Sequence, residues 1–108
     1  MFTGVPVSDL AAGRTFFEGL FGHPPDIVPN DDEVMWRLTE TAWLYLVVDP
    51  AHAGHAVATL SGGDLDSTLS ELAERGVGCG PVEVVGTAGR KATLRDPDGN
   101  GVALVEVR

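Results

Sequence analysis

Three histidines, one cysteine and sixteen carboxylates are the side chains of this 108-residue sequence best suited to holding a metal or moving a proton. His52 and His55 stand three apart, but where a turn meets a strand, so no helix aligns them. His23 follows a glycine that ends a predicted helix, where a charged imidazole interacts favourably with the helix dipole. Cys79 lies in Gly78-Cys79-Gly80, with no basic neighbour in sequence to lower its pKa. Alone, it makes neither an internal disulfide nor a cysteine-rich zinc site, and a reducing compartment fits it. Ser8, Ser61, Ser67 and Ser70 lack the glycine-flanked elbow of a nucleophilic serine and sit at or near helix starts. Arg90, Lys91 and Arg95 fall within six residues, as a solvated strand face or as a local anion contact. Gly62-Gly63 precedes a helix N-terminus that could attract an anion, but the charge of Asp64 opposes it. Trp36, Trp43 and Tyr45 lie on two adjacent predicted strands. They are either core packing or an aromatic wall whose indole N–H and phenol O–H act as polar handles.

Two helices and a set of strands must position these groups. The first helix is predicted from about Asp9 to Phe21. Ser8 or Asp9 caps it, since a side-chain oxygen accepts from an orphan backbone N–H. Leu10, Phe17 and Phe21 share one face, with Leu20 beside them. Gly22 stops the helix and Pro24-Pro25 prevents its resuming. The second runs from about Asp64 to Arg75, with Leu65, Leu69 and Leu72 as its stripe and Gly76 as its end. Burying each leucine stabilises by roughly 1.5–3 kcal/mol, so both helices need a sheet to pack on. Strands are expected at residues 2–7, Val34 to Leu38, Trp43 to Val48, Ala53 to Leu60, Val82 to Val85, Lys91 to Arg95 and Val102 to Val107. Trp43 to Val48 is apolar at every position, which predicts cover on both faces. Asp96-Pro97-Asp98-Gly99-Asn100 joins the last two strands as a turn, with proline presetting φ and glycine and asparagine tolerating positive φ. Asp9-Leu10 lies 55 residues before Asp64-Leu65, and Phe17 and Leu72 each stand seven beyond their leucine. One strand–helix–strands module is therefore used twice, about residues 1–50 and 51–108, in one domain spanning 1–108. Either module alone has an open sheet and one helix; paired, the sheets can curve around a shared cavity.

Composition narrows the function. Sixteen acids against seven bases give a formal charge of −9, the reverse of a nucleic-acid-binding domain, and unsuited to an anionic membrane surface. A hydrophobic fraction of 44% excludes a charge-driven disordered chain. No apolar run reaches the ~18 residues that span a bilayer. Met1-Phe2-Thr3-Gly4-Val5 lacks a basic region followed by an apolar run, so no signal peptide is expected, and the cytoplasm is the expected location.

Val5-Pro6-Val7-Ser8-Asp9-Leu10, Phe16-Phe17-Glu18-Gly19-Leu20-Phe21-Gly22 and Arg95-Asp96-Pro97-Asp98-Gly99-Asn100 carry a resemblance. Over essentially the whole chain, the sequence resembles the vicinal oxygen chelate superfamily of glyoxalase I, bleomycin resistance proteins and extradiol dioxygenases. The resemblance implies an α+β fold of two βαβββ modules, a curved mixed sheet around a cavity with the helices on its outer face. It also implies a homodimer that completes its cavities across the interface. The family's chemistry depends on a divalent metal held by a histidine on the opening strand, a histidine opening the second module and a glutamate on the last strand. Carried over residue by residue, these positions fall on Phe2, Val57 and Ala103, none of which binds a metal. A catalytic zinc site takes three protein ligands and an open position. His55, two residues before Val57, is expected on the same strand face at the cavity rim. Glu106, three beyond Ala103, is expected on the opposite face, near a helix.

The leading expectation is accordingly a metal-free protein that sequesters a small molecule, with no cofactor and no bond changed. Phe2, Trp36, Trp43, Tyr45, His55, Val57 and Ala103 are its candidate ligand contacts. The charge of −9 favours a cationic ligand. The alternative is a lyase or dioxygenase of the glyoxalase type with a displaced site, His55 holding zinc, nickel, iron or manganese. The ligand set argues against an enzyme. A third possibility is an interaction module whose cavity has filled with side chains, Phe2, Val57 and Ala103 among them.

Overall fold

Asp9 opens the first helix by accepting from the backbone N–H groups of Ala11 and Ala12, and Gly22 closes it in the left-handed region at φ 81°. In this computed structural model, which describes residues 1–87 and 89–107, the first module is β1 (Phe2–Val7), α1 (Leu10–Phe21), β2 (Ile27–Asn30), β3 (Glu33–Arg37) and β4 (Trp43–Val48). The second is β5 (Val57–Ser61), α2 (Leu65–Glu74), β6 (Glu83–Val85), β7 (Gly89–Arg95) and β8 (Gly101–Val107). Asp64 caps α2 as Asp9 caps α1, through the N–H groups of Asp66 and Ser67. The expected βαβββ unit is thus present twice.

Each module builds a four-stranded mixed sheet, in the orders β1-β4-β3-β2 and β5-β8-β7-β6. The first strand of each module pairs in parallel with its last, Phe2 opposite Trp43 and Val57 opposite Gly101. The remaining pairings are antiparallel. One face of each sheet carries a helix. Val5, Val7, Val34, Trp36, Leu44 and Leu46 are buried beneath α1, which contributes Phe17 and Leu20. Gly13 permits the close approach: a Cβ there would lie 3.1 Å from Val7 Cγ1 and 3.3 Å from Leu46 Cδ1. Leu65 and Leu72 of α2 join Ala58, Ala92, Leu94, Val102 and Leu104 in the same continuous core. Among the described residues, no helix or strand packs on the other face of either sheet.

That asymmetry corrects the reading of β4. Leu44 and Leu46 are fully buried, whereas Trp43, Tyr45 and Val47 are half-exposed, so this chain covers one face only. The strand expected from Ala53 begins instead at Val57, because residues 51–54 turn, with Gly54 at φ 90°. A Cβ at Gly54 would lie 2.6 Å from the carbonyl oxygen of Asp98. β2 is an addition, an edge strand whose four residues are all exposed and include Pro29.

The two modules are fastened by polar side chains. Asn100 Oδ1 accepts from the N–H groups of Gly54 and Ala56, each at 3.0 Å. Its Nδ2 donates to the Pro6 carbonyl and to Asp96 Oδ2, each at 2.8 Å. Asp98 accepts from Ser8 through both backbone N–H and hydroxyl. Arg75, beyond α2, donates to the carbonyls of Gly19 and Leu20 at the end of α1. β1 and β5 meet along the resulting seam. Pro6 lies at the start of β5 through Asn100, while Met1 shares a cavity with Thr59, Leu60 and Ser61. The two strands therefore run in opposite senses.

Candidate functional site

Strand register assigns every side chain to the helix face or to the open face. On the first sheet, Phe2, Trp43 and Arg37 form one open row, and Gly4, Tyr45 and Met35 the next. Phe2 is 64% exposed. On the second sheet, Val57, Gly101 and Arg95 form a row, then Thr59, Ala103 and Thr93, then Ser61, Val105 and Lys91. Val57 is 73% exposed. The open surface thus has an aromatic half and a half of hydroxyls and bases.

Two glycines let side chains reach along this surface. A Cβ at Gly4 would lie 2.5 Å from the Tyr45 hydroxyl, so the phenol of β4 lies across β1. A Cβ at Gly101 would lie 3.5 Å from Arg95 Nη1 and 3.7 Å from Val57 Cγ2, so the guanidinium of β7 lies across β8. Arg95 Nη1 also donates to the Gly99 carbonyl at 3.1 Å.

The candidate residues separate. Phe2, Trp43 and Tyr45 share the open face of the first sheet, and Val57 and Ala103 that of the second. Trp36 faces the other way: it is fully buried against Phe17 and Phe21, and its indole N–H donates to the His23 carbonyl. It is a core residue. His55 precedes β5, exposed, so strand alternation does not align it with Val57. Since β1 and β5 run in opposite senses, Phe2 and Val57 sit at opposite ends of the seam, ~13 Å of strand apart. The chain brings Val57 and Ala103 together, and not Phe2. Among the described residues, no three His, Cys, Asp or Glu side chains converge to hold a metal. The divalent ion implied by the resemblance does not fit the side chains at these positions, which offer no donor atom.

The basic trio also divides. Arg90 points to the helix face, where it pairs with Asp66 and Glu106 at 3.3 and 3.0 Å. Those two carboxylates, Asp66 first, raise the Arg90 pKa. Glu106 lies near α2 as the step from Ala103 predicts, accepting from the Leu65 N–H at 2.9 Å. That backbone bond first, and Arg90 second, lower its pKa. Lys91 pairs with Glu83 at 3.8 Å. Arg95 has no carboxylate partner among the described residues. Sequence reasoning placed it in a cluster, and counting alternate residues along β7 would have separated it from Arg90.

A fold of paired βαβββ modules with an open face is one a known family shares. The family model of the Glyoxalase/Bleomycin resistance protein/Dioxygenase superfamily matches residues 2–104. The chain belongs to this superfamily. Among solved structures, it is similar to a glyoxalase/bleomycin resistance protein from Catenulispora acidiphila, at 42% identity and a TM-score of 0.94, covering 100% of this chain and 97% of that one. It is also similar to TnmS3, an antibiotic binding protein from Streptomyces sp. CB03234, at 25% identity and a TM-score of 0.78, over 99% of this chain and 93% of that one. A bleomycin-binding protein solved with bleomycin shares the fold, at 18% identity and a TM-score of 0.81, over 100% and 98% of the two chains. No curated protein matches the sequence.

Proposed function

We propose that this protein binds and sequesters a small organic molecule on its open face, without a metal, as a homodimer in the cytoplasm. The observation that carries the reading is the open face itself. Half-exposed Trp43 and Tyr45 and exposed Phe2 offer ring surface, while the family's metal positions carry a phenyl, an isopropyl and a methyl group. Aromatic surface binds planar apolar ligands, and a few polar groups fix their orientation. The bleomycin-binding and antibiotic-binding relatives support the class of ligand. Exposed Phe2, Ile27, Val57 and Val107 support a partner that covers this face, and a second copy is the expected one. The far field of nine net negative charges draws cations toward the molecule but does not choose what is bound. The side chains that touch the ligand act at shorter range. A metal-dependent reading would need His55, which stands outside the strand and exposed.

Metal retention tests the proposal. Purified, tag-free protein is exposed to zinc, nickel, iron and manganese, desalted and analysed for metal per chain. The expected retention is close to zero for all four. Near-stoichiometric retention of one metal, lost on His55→Ala, refutes the metal-free reading. Sedimentation at micromolar concentration should give twice the mass of 11.3 kDa; a monomer refutes the dimer.

A further inference from the structure

Charge is distributed unequally between the two sides of this molecule. Of the sixteen carboxylates, only Glu33 and Glu83 belong to strand residues of the open face, and Glu83 is paired with Lys91. The others lie on helices, turns and loops, or, like Glu106, face a helix. Three bases, Arg37, Lys91 and Arg95, belong to the same open face. A chain of net charge −9 therefore presents a ligand with strand side chains that sum to about +1, by three bases less two acids.

Among the described residues, Arg95 keeps more donors free than the other two bases. Arg37 donates through Nε to the Thr39 carbonyl and through Nη2 to the Glu40 carbonyl. Arg95 uses Nη1 alone, on Gly99, out of the five N–H donors a guanidinium has. Its position matters equally. The group lies over Gly101 beside Val57, one row from Ala103. Across the seam, the Tyr45 hydroxyl lies over Gly4. The two side chains reach over the glycine positions Gly4 and Gly101 from opposite flanks toward β5, which carries Thr59 on the same face. β5 pairs with β8 and meets β1 at the seam without pairing to it, so β1 and β8 are roughly 10 Å or more apart, about the length of a two-ring aromatic acid.

We infer that the open face holds its ligand by an anionic oxygen on the Arg95 guanidinium, and that the ligand is a small aromatic carboxylic acid whose ring lies over β5 toward Tyr45. The inference rests on the open face being the binding surface, and it specifies what that surface selects. A positive charge stands beside Val57 and one row from Ala103. It can fix a carboxylate through two parallel N–H donors without offering an electrophile for chemistry. Far-field attraction of cations and near-field selection of an acid act at different ranges, and the bound state is decided by the second.

Three naphthalene probes of equal ring size separate the possibilities: 2-naphthoate, neutral 2-naphthol and (2-naphthylmethyl)ammonium. Each is titrated by calorimetry at pH 7 into wild-type protein and into Arg95→Gln, Arg95→Lys and Tyr45→Ala. The expected result is naphthoate binding about 10- to 100-fold tighter than naphthol, the range of a charge-assisted hydrogen bond. Arg95→Gln should abolish that preference and Arg95→Lys should restore part of it, with thermal unfolding as the control for the lost Gly99 contact. Naphthoate binding no tighter than naphthol, ammonium binding tightest, or naphthoate affinity unchanged in Arg95→Gln overturns the inference. In those cases, loss of all three probes in Tyr45→Ala preserves the open face as the binding surface. No binding of any probe to wild type, or no effect of Tyr45→Ala on any of them, overturns that reading as well.

Discussion

Removing the Asn100 side chain should take away a large share of the protein's stability. The residue is 1% exposed, and all four hydrogen-bonding positions of its amide are filled. Asn100→Ala strands the N–H groups of Gly54 and Ala56, the Pro6 carbonyl and one oxygen of Asp96, itself 5% exposed. Gly54, Ala56 and Pro6 are half-exposed and recover part of their loss from water. Buried Asp96 recovers least. At about 1–3 kcal/mol for each buried partner left unsatisfied, and less for those that reach water, the cost is about 3–5 kcal/mol. Domains of this size are stable by about 5–15 kcal/mol, so a large share of the total is lost. Urea unfolding followed by circular dichroism and tryptophan fluorescence should show a lower midpoint at unchanged slope, and the Tm should fall by about 15–30 °C. A loss below about 1 kcal/mol would refute the reasoning, because it would mean that water or a repacked loop replaces the amide. Asn100→Asp sharpens the test. It sets a second carboxylate where the amide nitrogen now stands 2.8 Å from Asp96 Oδ2. Two carboxylates that close favour sharing a proton, so this variant should be least stable at neutral pH and recover on mild acidification.

Other outcomes follow from the same geometry. Glu106 has a folded pKa below its unfolded value of 4.5, so its contribution is full above that value and is lost as pH falls through the folded pKa. Wild type should therefore lose stability on acidification below about pH 5, and Glu106→Gln should give a flatter pH profile in thermal melts across that window. Trp36→Ala should cost about 3–5 kcal/mol in urea unfolding, against about 1 kcal/mol for Trp43→Ala, since the first is fully buried and the second half-exposed. Gly4→Ala should leave the Tm within a few degrees, because the clash is with the movable end of Tyr45, yet weaken binding of every naphthalene probe by calorimetry.

Much of the architecture was legible because it is written locally. Asp9 and Asp64 are helix caps by residue type, and the 55-residue offset between them exposes the duplicated module. The Asp96–Asn100 turn is fixed by proline and glycine chemistry. β2 was not legible, because Ile27–Asn30 buries no face and so has no alternation to detect. The start of β5 was misplaced because Ala53 and Ala56 read as strand, while the turn at Gly54 is set by the distant Asp98 carbonyl. The site was half legible. Alternation within a strand sorts its residues into two faces without saying which face meets a helix. Trp36 and Trp43 could therefore not be told apart until Val34 was paired with Leu46 and Arg37 with Trp43. Arg95 was visible as a charge but not as a reaching side chain, because its reach depends on Gly101 in the neighbouring strand.

The clasp around Asn100 has a consequence for how the molecule comes into being. The residues it ties together stand 94, 46 and 44 positions earlier in the chain. On a translating ribosome, the first module emerges with Pro6 exposed and nothing yet made that can bind it. Its sheet and helix can form, but the join to its sibling waits for almost the last turn to appear. Closing so long a loop is entropically costly until both halves are nearly complete, so this join is among the last contacts of folding to form. A ribosome paused within the second module would hold an open half whose aromatic row is uncovered on one side and whose seam is unsealed on the other.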